Sequence, residues 1–544
     1  MLWSESTVIV GFIPDFDMSF AANYLKSVAG FKGIKHKYRL TKTVLVEVDP
    51  ARLDAFVNDV RRQDGVAYCE YNYLVFPNAF HDEVGSWSPA SEWSCRLVRR
   101  LHNIRGDSDA GEGITIAVVD SGLSPHPYLP ALSFSQSIAF AELWPETVKG
   151  NVAAQTHLTN IAHLESSWQS PLSSDATAQG QRAFLTQALD HLRSFQQEIW
   201  NGWLNEAVDW YTNNLGSSRV GLNSLMPKYP IHPRSICGPL RRVSLYSRNF
   251  VNDNLLVDDS LGHGTQMAGL LSGKASVSFV ESDADKKRQL SKYEVDVLGI
   301  TPNAELMILK CYDKNDLEAS NVGAMIRALE HAEKHNADII YFGVAFDPGP
   351  RGIPTKTAIT LDRTIQILLQ KNIPVICPAG NGRKAELEFP AACNGVIAIT
   401  AEVQDKKGGA LLAPYSSYAG PNETVHFSAF GGDEYLAPVS TDTSFGFRRV
   451  TGTSVAAAIA TGILANYLSK RYQKLRQQQY ENVLFQTLRS GAPPSLPLPL
   501  SRVPRMTIDE LINAARQSAL PSDKAGAPSR SPKFGFGLIR EFVP

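Results

Sequence analysis

The sequence predicts an α/β protein built on a mostly parallel sheet with helices on both faces, preceded by a small α+β domain. Three observations predict it. Near-continuous apolar segments (ITIAVVD, AELMILK, ADIIYFGVA, IPVICPA and GVIAIT) read as strands buried on both faces. Helical stretches such as NVGAMIRALEHAEKHN lie between them, as the crossovers of a parallel sheet require. Residues 1–77 differ, packing strand, helix, strand, strand, helix and strand into a short span.

Within 1–77, TVIVGF is a strand and DFDMSFAANYLKSVAG a helix closed by Gly30. KHKYRL and TVLVEV follow as strands. Asp49 suits an N-cap and Pro50 a first helical position, and Leu53, Phe56, Val57 and Val60 make one apolar face. GVAYCEYNYLVF returns as a strand. The βαββαβ order is that of a two-layer, ferredoxin-like sandwich.

Residues 78–110 read as a connector with polar turns and the start of the larger domain, which occupies 111–544. A segment at about 130–250 breaks the strand–helix rhythm of that domain. It holds five of the eight tryptophans: Trp144, Trp168, Trp200, Trp203 and Trp210. From about Ala178 to Leu215 it carries an apolar stripe at helical spacing, either packed on the main domain or open to a regulatory partner. Residues 492–532 are Pro- and Ser-rich loop around one short helix, IDELINAARQ, and FGFGLI closes the chain with strand character.

Composition excludes several classes. The 544 residues carry 53 Lys+Arg against 54 Asp+Glu, a net charge of −1, so neither a nucleic-acid nor a membrane-surface binder is indicated. The start MLWSESTVIVGFIPDFD lacks the pattern of a signal peptide, and no apolar run of about 18 residues occurs. The six cysteines show no CxxC spacing, and free thiols in a cytoplasmic protein are the expectation.

Three motifs carry chemistry. AVVDSGL ends a buried strand at Asp120, where parallel α/β sheets place their sites. DDSLGHGTQMAG sets His263 between two glycines before an apolar helix. TGTSVAAAIATGILA puts Ser454 at the start of an Ala-rich buried helix, whose free N–H groups favour developing negative charge. Each alone is an ordinary turn or cap. Together, in the order Asp, His, Ser, they point to nucleophilic acyl transfer.

These residues resemble the subtilase family (peptidase S8) of serine proteases. GITPNAELMILKCYD, FPAACNGVIAIT, PYSSYAG and FGFGLI match further family segments, and residues 1–77 resemble the family's inhibitor-type propeptide, closest at FVNDVRRQDGVAYCEYN. The resemblance implies a subtilisin-like catalytic fold and a serine endopeptidase, made as a zymogen or self-inhibited precursor, acting on proteins or peptides. Ser454 would attack the carbonyl, His263 would carry the proton and Asp120 would hold the imidazole. CPAGNG resembles the oxyanion-hole loop and assigns Asn381 to it. No cofactor is implied. Calcium often stabilises the family, but no ligand positions match.

The chain also departs from the family. His263 follows Asp120 by 143 residues, where a few tens are usual. The segment at 130–250 accounts for the difference and could cover the cleft. Val455 and Ala458 stand where the family has methionine and proline. Gly343-Val344-Ala345 replaces the Ser-Leu-Gly substrate strand, and Glu388 stands where the S1 floor often has glycine. A buried carboxylate there favours Lys or Arg at P1, unless it turns to solvent or pairs with Arg383 or Lys384. That creates a tension, because the propeptide-like unit should end near Phe76–Phe80 and no Lys or Arg lies between Arg62 and Arg96. Arg99 and Arg100 offer another cleavage site, or the unit stays attached. The competing reading is a subtilase-fold binding protein acting through its insertion.

Overall fold

Four strands and two helices form the first unit: β1 (Trp3–Phe12), α1 (Ala21–Leu25), β2 (Phe31–Tyr38), β3 (Thr43–Val48), α2 (Leu53–Val60) and β4 (Val66–Tyr73). They belong to a computed structural model that describes residues 3–75, 90–107, 109–124, 129, 243–244, 246–273, 275–283, 288–297, 299–346, 358–405, 407–443, 447–489, 503–522 and 531–544. The tryptophan-rich helical stripe and most of the 130–250 insertion lie outside these residues, as do Phe76–Phe80 and Cys237.

The strand order is β2-β3-β1-β4, with every pair antiparallel. Val8, Val10, Val44 and Val46 face α2, whose Leu53, Phe56, Val57 and Val60 are all buried. Ile9 and Leu45 point the other way, into the core of the larger unit. The sheet is therefore covered on both faces, which is why TVIVGF and TVLVEV do not alternate with polar residues. Asp49 accepts the Ala51 N–H at 3.1 Å and starts a 3-10 turn at Pro50–Arg52, so α2 begins only at Leu53. The first helix is shorter than its apolar pattern predicts. Asp17 accepts the Ser19 N–H at 2.9 Å and diverts the chain into a turn before α1.

The connector, whose polar residues predict turns, contains a helix, α3 (Ala90–Leu101). Cys95, Val98 and His102 are buried at spacings of three and four, a face that the surrounding arginines conceal.

The main sheet holds eight strands: β5 (Thr115–Asp120), β6 (Arg248–Asn249), β9 (Glu305–Lys310), β10 (Ile339–Phe342), β11 (Val375–Pro378), β12 (Ile397–Gln404), β13 (Ala410–Leu412) and β14 (Phe427–Phe430). Between β6 and β9 lie α4 (His263–Ser272) and an antiparallel hairpin, β7 (Ala275–Asp283) with β8 (Arg288–Val297), which the sequence reading did not separate. The order is β13-β12-β11-β10-β5-β9-β6, with β14 beside β12. Only β12 and β13 pair antiparallel. Val243 bridges Leu306 and β6 pairs β9, so the sheet resumes before residue 250.

Helices α5 (Val322–Lys334) and α6 (Ile359–Gln370) cover one face of this sheet. On the other lie α4 and the start of α7 (Thr453–Arg489), and α8 (Ile508–Ser518) packs against the same core. Side chains divide between the faces with period two. Ile116 and Val118 of β5 join the α7 core, while Ala117 and Val119 join the α5–α6 core. Successive crossovers from β5 run to opposite sides, through β9 and then β10, so Asp120 ends its strand where the strand order reverses. The last hairpin, β15 (Val439–Thr441) with β16 (Phe447–Arg449), leads into α7.

Candidate active site

Asp120 is the last residue of β5 and is buried. His263 opens α4, because Gly262 before it adopts a left-handed φ of 98° and turns the chain into the helix. These two positions bring His263 Nδ1 to 2.8 Å from Asp120 Oδ1 and 3.0 Å from Oδ2. The Ser121 N–H also donates to Asp120 Oδ1, at 2.7 Å. The carboxylate can thus hold the ring by Nδ1 and leave Nε2 as the nitrogen for proton transfer.

Ser454 is the second residue of α7 and is buried on that helix's first turn. Its Oγ lies 3.5 Å from the Gly343 carbonyl, and its own carbonyl accepts the Tyr341 hydroxyl at 3.2 Å. Burial, and then the charge of Asp120, push the Tyr341 hydroxyl and the Cys311 thiol well up, so both stay protonated.

Asn381 comes to the same place from the loop after β11. Its Oδ1 accepts the Thr453 N–H at 3.0 Å and the Thr453 hydroxyl at 2.9 Å. With the oxygen so occupied, the amide turns its NH2 toward Gly452, where a Cβ would sit 3.5 Å from Nδ2. Thr453, whose place in the Gly-Thr-Ser motif gives no local sign of this role, is the residue that sets this orientation.

The four substrate-strand and pocket residues fall in different places. Gly343 lies against Asp120, and a Cβ there would come within 1.9 Å of Oδ2. The close approach of the carboxylate leaves no room for a side chain at this position. Val344 is buried in the α5–α6 core. Ala345 is half-buried, and Phe346 then pairs with Phe389 through both backbone hydrogen bonds. Glu388 is buried rather than turned to solvent. Its Oε1 accepts the Gly382 N–H at 2.9 Å, and its carboxylate lies against Gly380, on either side of Asn381.

Among the described residues no group of three or more His, Cys, Asp or Glu is placed to hold a metal ion. Five of the cysteines are free and buried: Cys69, Cys95, Cys311, Cys377 and Cys393. No helix of the described residues is long and apolar enough to cross a membrane.

The fold defines the class first: a subtilisin-like α/β protein with an antiparallel unit at its N-terminus. Residues 111–537 match the subtilase family, peptidase S8, and the chain belongs to that family. Over 295 residues it is 25% identical to the major intracellular serine protease of Bacillus subtilis (strain 168), a match that spans 52% of this chain and 81% of that one. Two solved structures share the fold. Fervidolysin from Fervidobacterium pennivorans, a keratinolytic enzyme related to subtilisin, superposes with a TM-score of 0.52 at 15% identity, over 99% of this chain and 60% of its own. The epidermin leader peptide processing serine protease of Staphylococcus aureus gives 0.51 at 13%, over 98% and 96%. At these identities the likeness is one of fold.

Proposed function

We propose that the protein is a serine endopeptidase that hydrolyses peptide bonds through an acyl-enzyme. The observation that carries this reading is the Asp120–His263 bond, with Gly343 lying against Asp120 and its carbonyl 3.5 Å from Ser454 Oγ on the first turn of a buried helix. Ser454 Oγ adds to the peptide carbonyl while His263 takes its proton. His263 then protonates the leaving amine, and Asp120 stabilises the imidazolium. The Asn381 NH2 and the Ser454 N–H bind the oxyanion. Water hydrolyses the ester by the same route in reverse.

The N-terminal unit is proposed to hold the enzyme as a self-inhibited precursor. Leu74 and Val75 pair with the Ser320–Asn321 segment, the Val75 N–H reaching the Ser320 carbonyl at 2.8 Å, so the chain leaves β4 along the larger unit. One experiment tests activity and processing together: labelling with a serine-directed fluorophosphonate, read by intact mass. Wild type should take one label and Ser454→Ala none, and Ser454→Ala should stay at 59.6 kDa. An unlabelled wild type, with or without residues 1–75, overturns the reading.

Glu388 is proposed to favour Lys or Arg at P1. Support comes from its burial beneath the loop that presents Asn381. Profiling against a peptide library is the check. Cleavage after Leu or Phe with none after Lys or Arg overturns it. A location inside the cell is part of the proposal, supported by the free buried thiols and by the name of the Bacillus subtilis relative.

A further inference from the structure

The loop that carries His263 is held by a carboxylate with no part in the chemistry above. Asp259 lies four residues before His263 and is buried. Its Oδ1 accepts the Ser121 hydroxyl at 2.8 Å, the Leu261 N–H at 3.1 Å and the Gly262 N–H at 2.7 Å. Its Oδ2 accepts the Thr265 N–H at 2.8 Å and the Thr265 hydroxyl at 2.7 Å. The donors from Gly262 and Thr265 flank His263, so one side chain closes the turn in which the imidazole begins α4.

The Ser121 bond does something that helix capping does not need. Ser121 follows Asp120 directly, and its Oγ also accepts the Gly264 N–H at 3.0 Å. It therefore joins the loop after Asp120 to the residues on both sides of His263. The joint continues along the two loops. Leu123 N–H meets the Val257 carbonyl at 2.6 Å, and Ser124 N–H meets Thr265 Oγ1 at 2.9 Å. The backbones are in direct contact. A Cβ on Gly122 would lie 2.4 Å from the Val257 oxygen, and one on Gly264 would lie 2.2 Å from the Gly122 oxygen.

The neighbours of Asp259 are anchored in the opposite direction. Lys310, fully buried, donates to the Asp258 carbonyl at 2.7 Å, to Asp258 Oδ1 at 3.1 Å and to Asp313 Oδ2 at 2.7 Å. Asp313 Oδ1 accepts the Ser260 hydroxyl at 2.7 Å. Asp258 and Ser260 are thus fixed to the sheet through Lys310 and Asp313, leaving Asp259 aimed at the site.

We propose that Asp259 is a positioning residue for the reaction: through Ser121 and the turn into α4 it holds the Asp120 carboxylate and the His263 ring in one frame. The inference rests on the endopeptidase reading given above. A carboxylate suits the task because each oxygen accepts two or more donors. An asparagine keeps one accepting oxygen and turns an NH2 against the donors on the other side.

The test uses full-length Asp259→Asn and Ser121→Ala. Active sites are counted by end-point titration with a fluorophosphonate, and kcat and KM on a peptide substrate are expressed per titrated site. In Asp259→Asn, kcat per site should fall about 10²-fold, the cost of a misplacement on the order of 1 Å, with KM little changed. The double variant should lose less than the two single losses combined, since both break the Ser121–Asp259 bond. An unchanged kcat per site with fewer titratable sites would mark Asp259 as a folding element and overturn the proposal; so would losses that add. If Asp259→Asn does not fold, Ser121→Ala decides alone, and full kcat per site in it overturns the proposal. A wild type that titrates no sites is a distinct result: it defeats the endopeptidase reading and this inference with it.

Discussion

His102 sits fully buried between two backbone groups that belong to distant parts of the chain. Its Nε2 accepts the Phe430 N–H at 3.1 Å, so Nδ1 carries the proton and donates to the Ile539 carbonyl at 2.6 Å. Burial, opposed by the Ile539 bond and aided by Arg540, lowers its pKa from 6.5 to about 4. A folded pKa below the unfolded one means stability that is complete above pH 6.5 and lost as the pH falls toward 4. Urea unfolding of wild type should show that loss. His102→Ala should be less stable by about 1–3 kcal/mol for each orphaned backbone group, and should lose this part of the pH dependence. None of this was legible in CRLVRRLHNIR, where the arginines drew the reading toward a cleavage site. Arg99 and Arg100 stand in the last turn of α3, so cleavage there would first have to unwind the helix into an extended strand. Asp120, His263 and Ser454 were legible because each sits beside glycines or small residues in a local motif. Asp259 and Thr453 were inside those motifs but unreadable, since their partners come from other segments.

At the scale of elements, β4 meets two helices end-on. Glu70 accepts the Ile359 N–H at 2.7 Å, the Thr360 N–H at 2.9 Å and the Thr360 hydroxyl, all at the start of α6. Asn72 accepts the Gly323 N–H of α5 at 2.9 Å. Ala358, at the N-cap of α6, has no side-chain cap of its own, so the N-terminal unit supplies one. Around Glu70, the Tyr68 hydroxyl shares Thr360 Oγ1 at 3.0 Å, and the Arg363 guanidinium lies 4.6 Å from the Tyr68 ring. Burial outweighs these hydrogen bonds and raises the Glu70 carboxyl from 4.5 to about 7. A docked pKa above the free one means docking takes up a proton. Its Glu70 contribution is complete below pH 4.5 and is lost as the pH rises through 7. The fluorophosphonate labelling rate of full-length wild type should therefore rise more steeply with pH than that of Glu70→Gln. Superposable profiles would count against it. GVAYCEYNYLVF was readable as a strand, but nothing local shows what its polar residues Glu70 and Asn72 meet. They are polar because they cap helices more than 250 residues further along the chain.

For the whole molecule, the parallel sheet and its covering helices were legible because both-sided burial leaves an unbroken apolar run in the sequence. The same rule explains one place where local reading fell short. β1 and β3 are apolar on both faces because a second unit covers the far side, and that cover is not encoded next to them. The connector failed for the converse reason: Arg96, Arg99 and Arg100 stand among the buried Cys95, Leu97 and Val98 of α3, and that polarity reads as turn. The short α1 failed because a local Asp–Ser hydrogen bond competed with the helix and won.

Residue type and short-range pattern alone determined the strand cores and the Asp–His–Ser order, because burial periodicity and glycine turns act over a few neighbours. Only the tertiary structure decided how those pieces meet. It set the His263 Nδ1 bond to Asp120, the turn of the Asn381 amide by Thr453, the burial of Glu388 beneath Asn381 and the bridge from Asp259 to Ser121. Each of these joins side chains from separate strands and loops. Their distances depend on how the sheet and α7 pack, which no single segment contains.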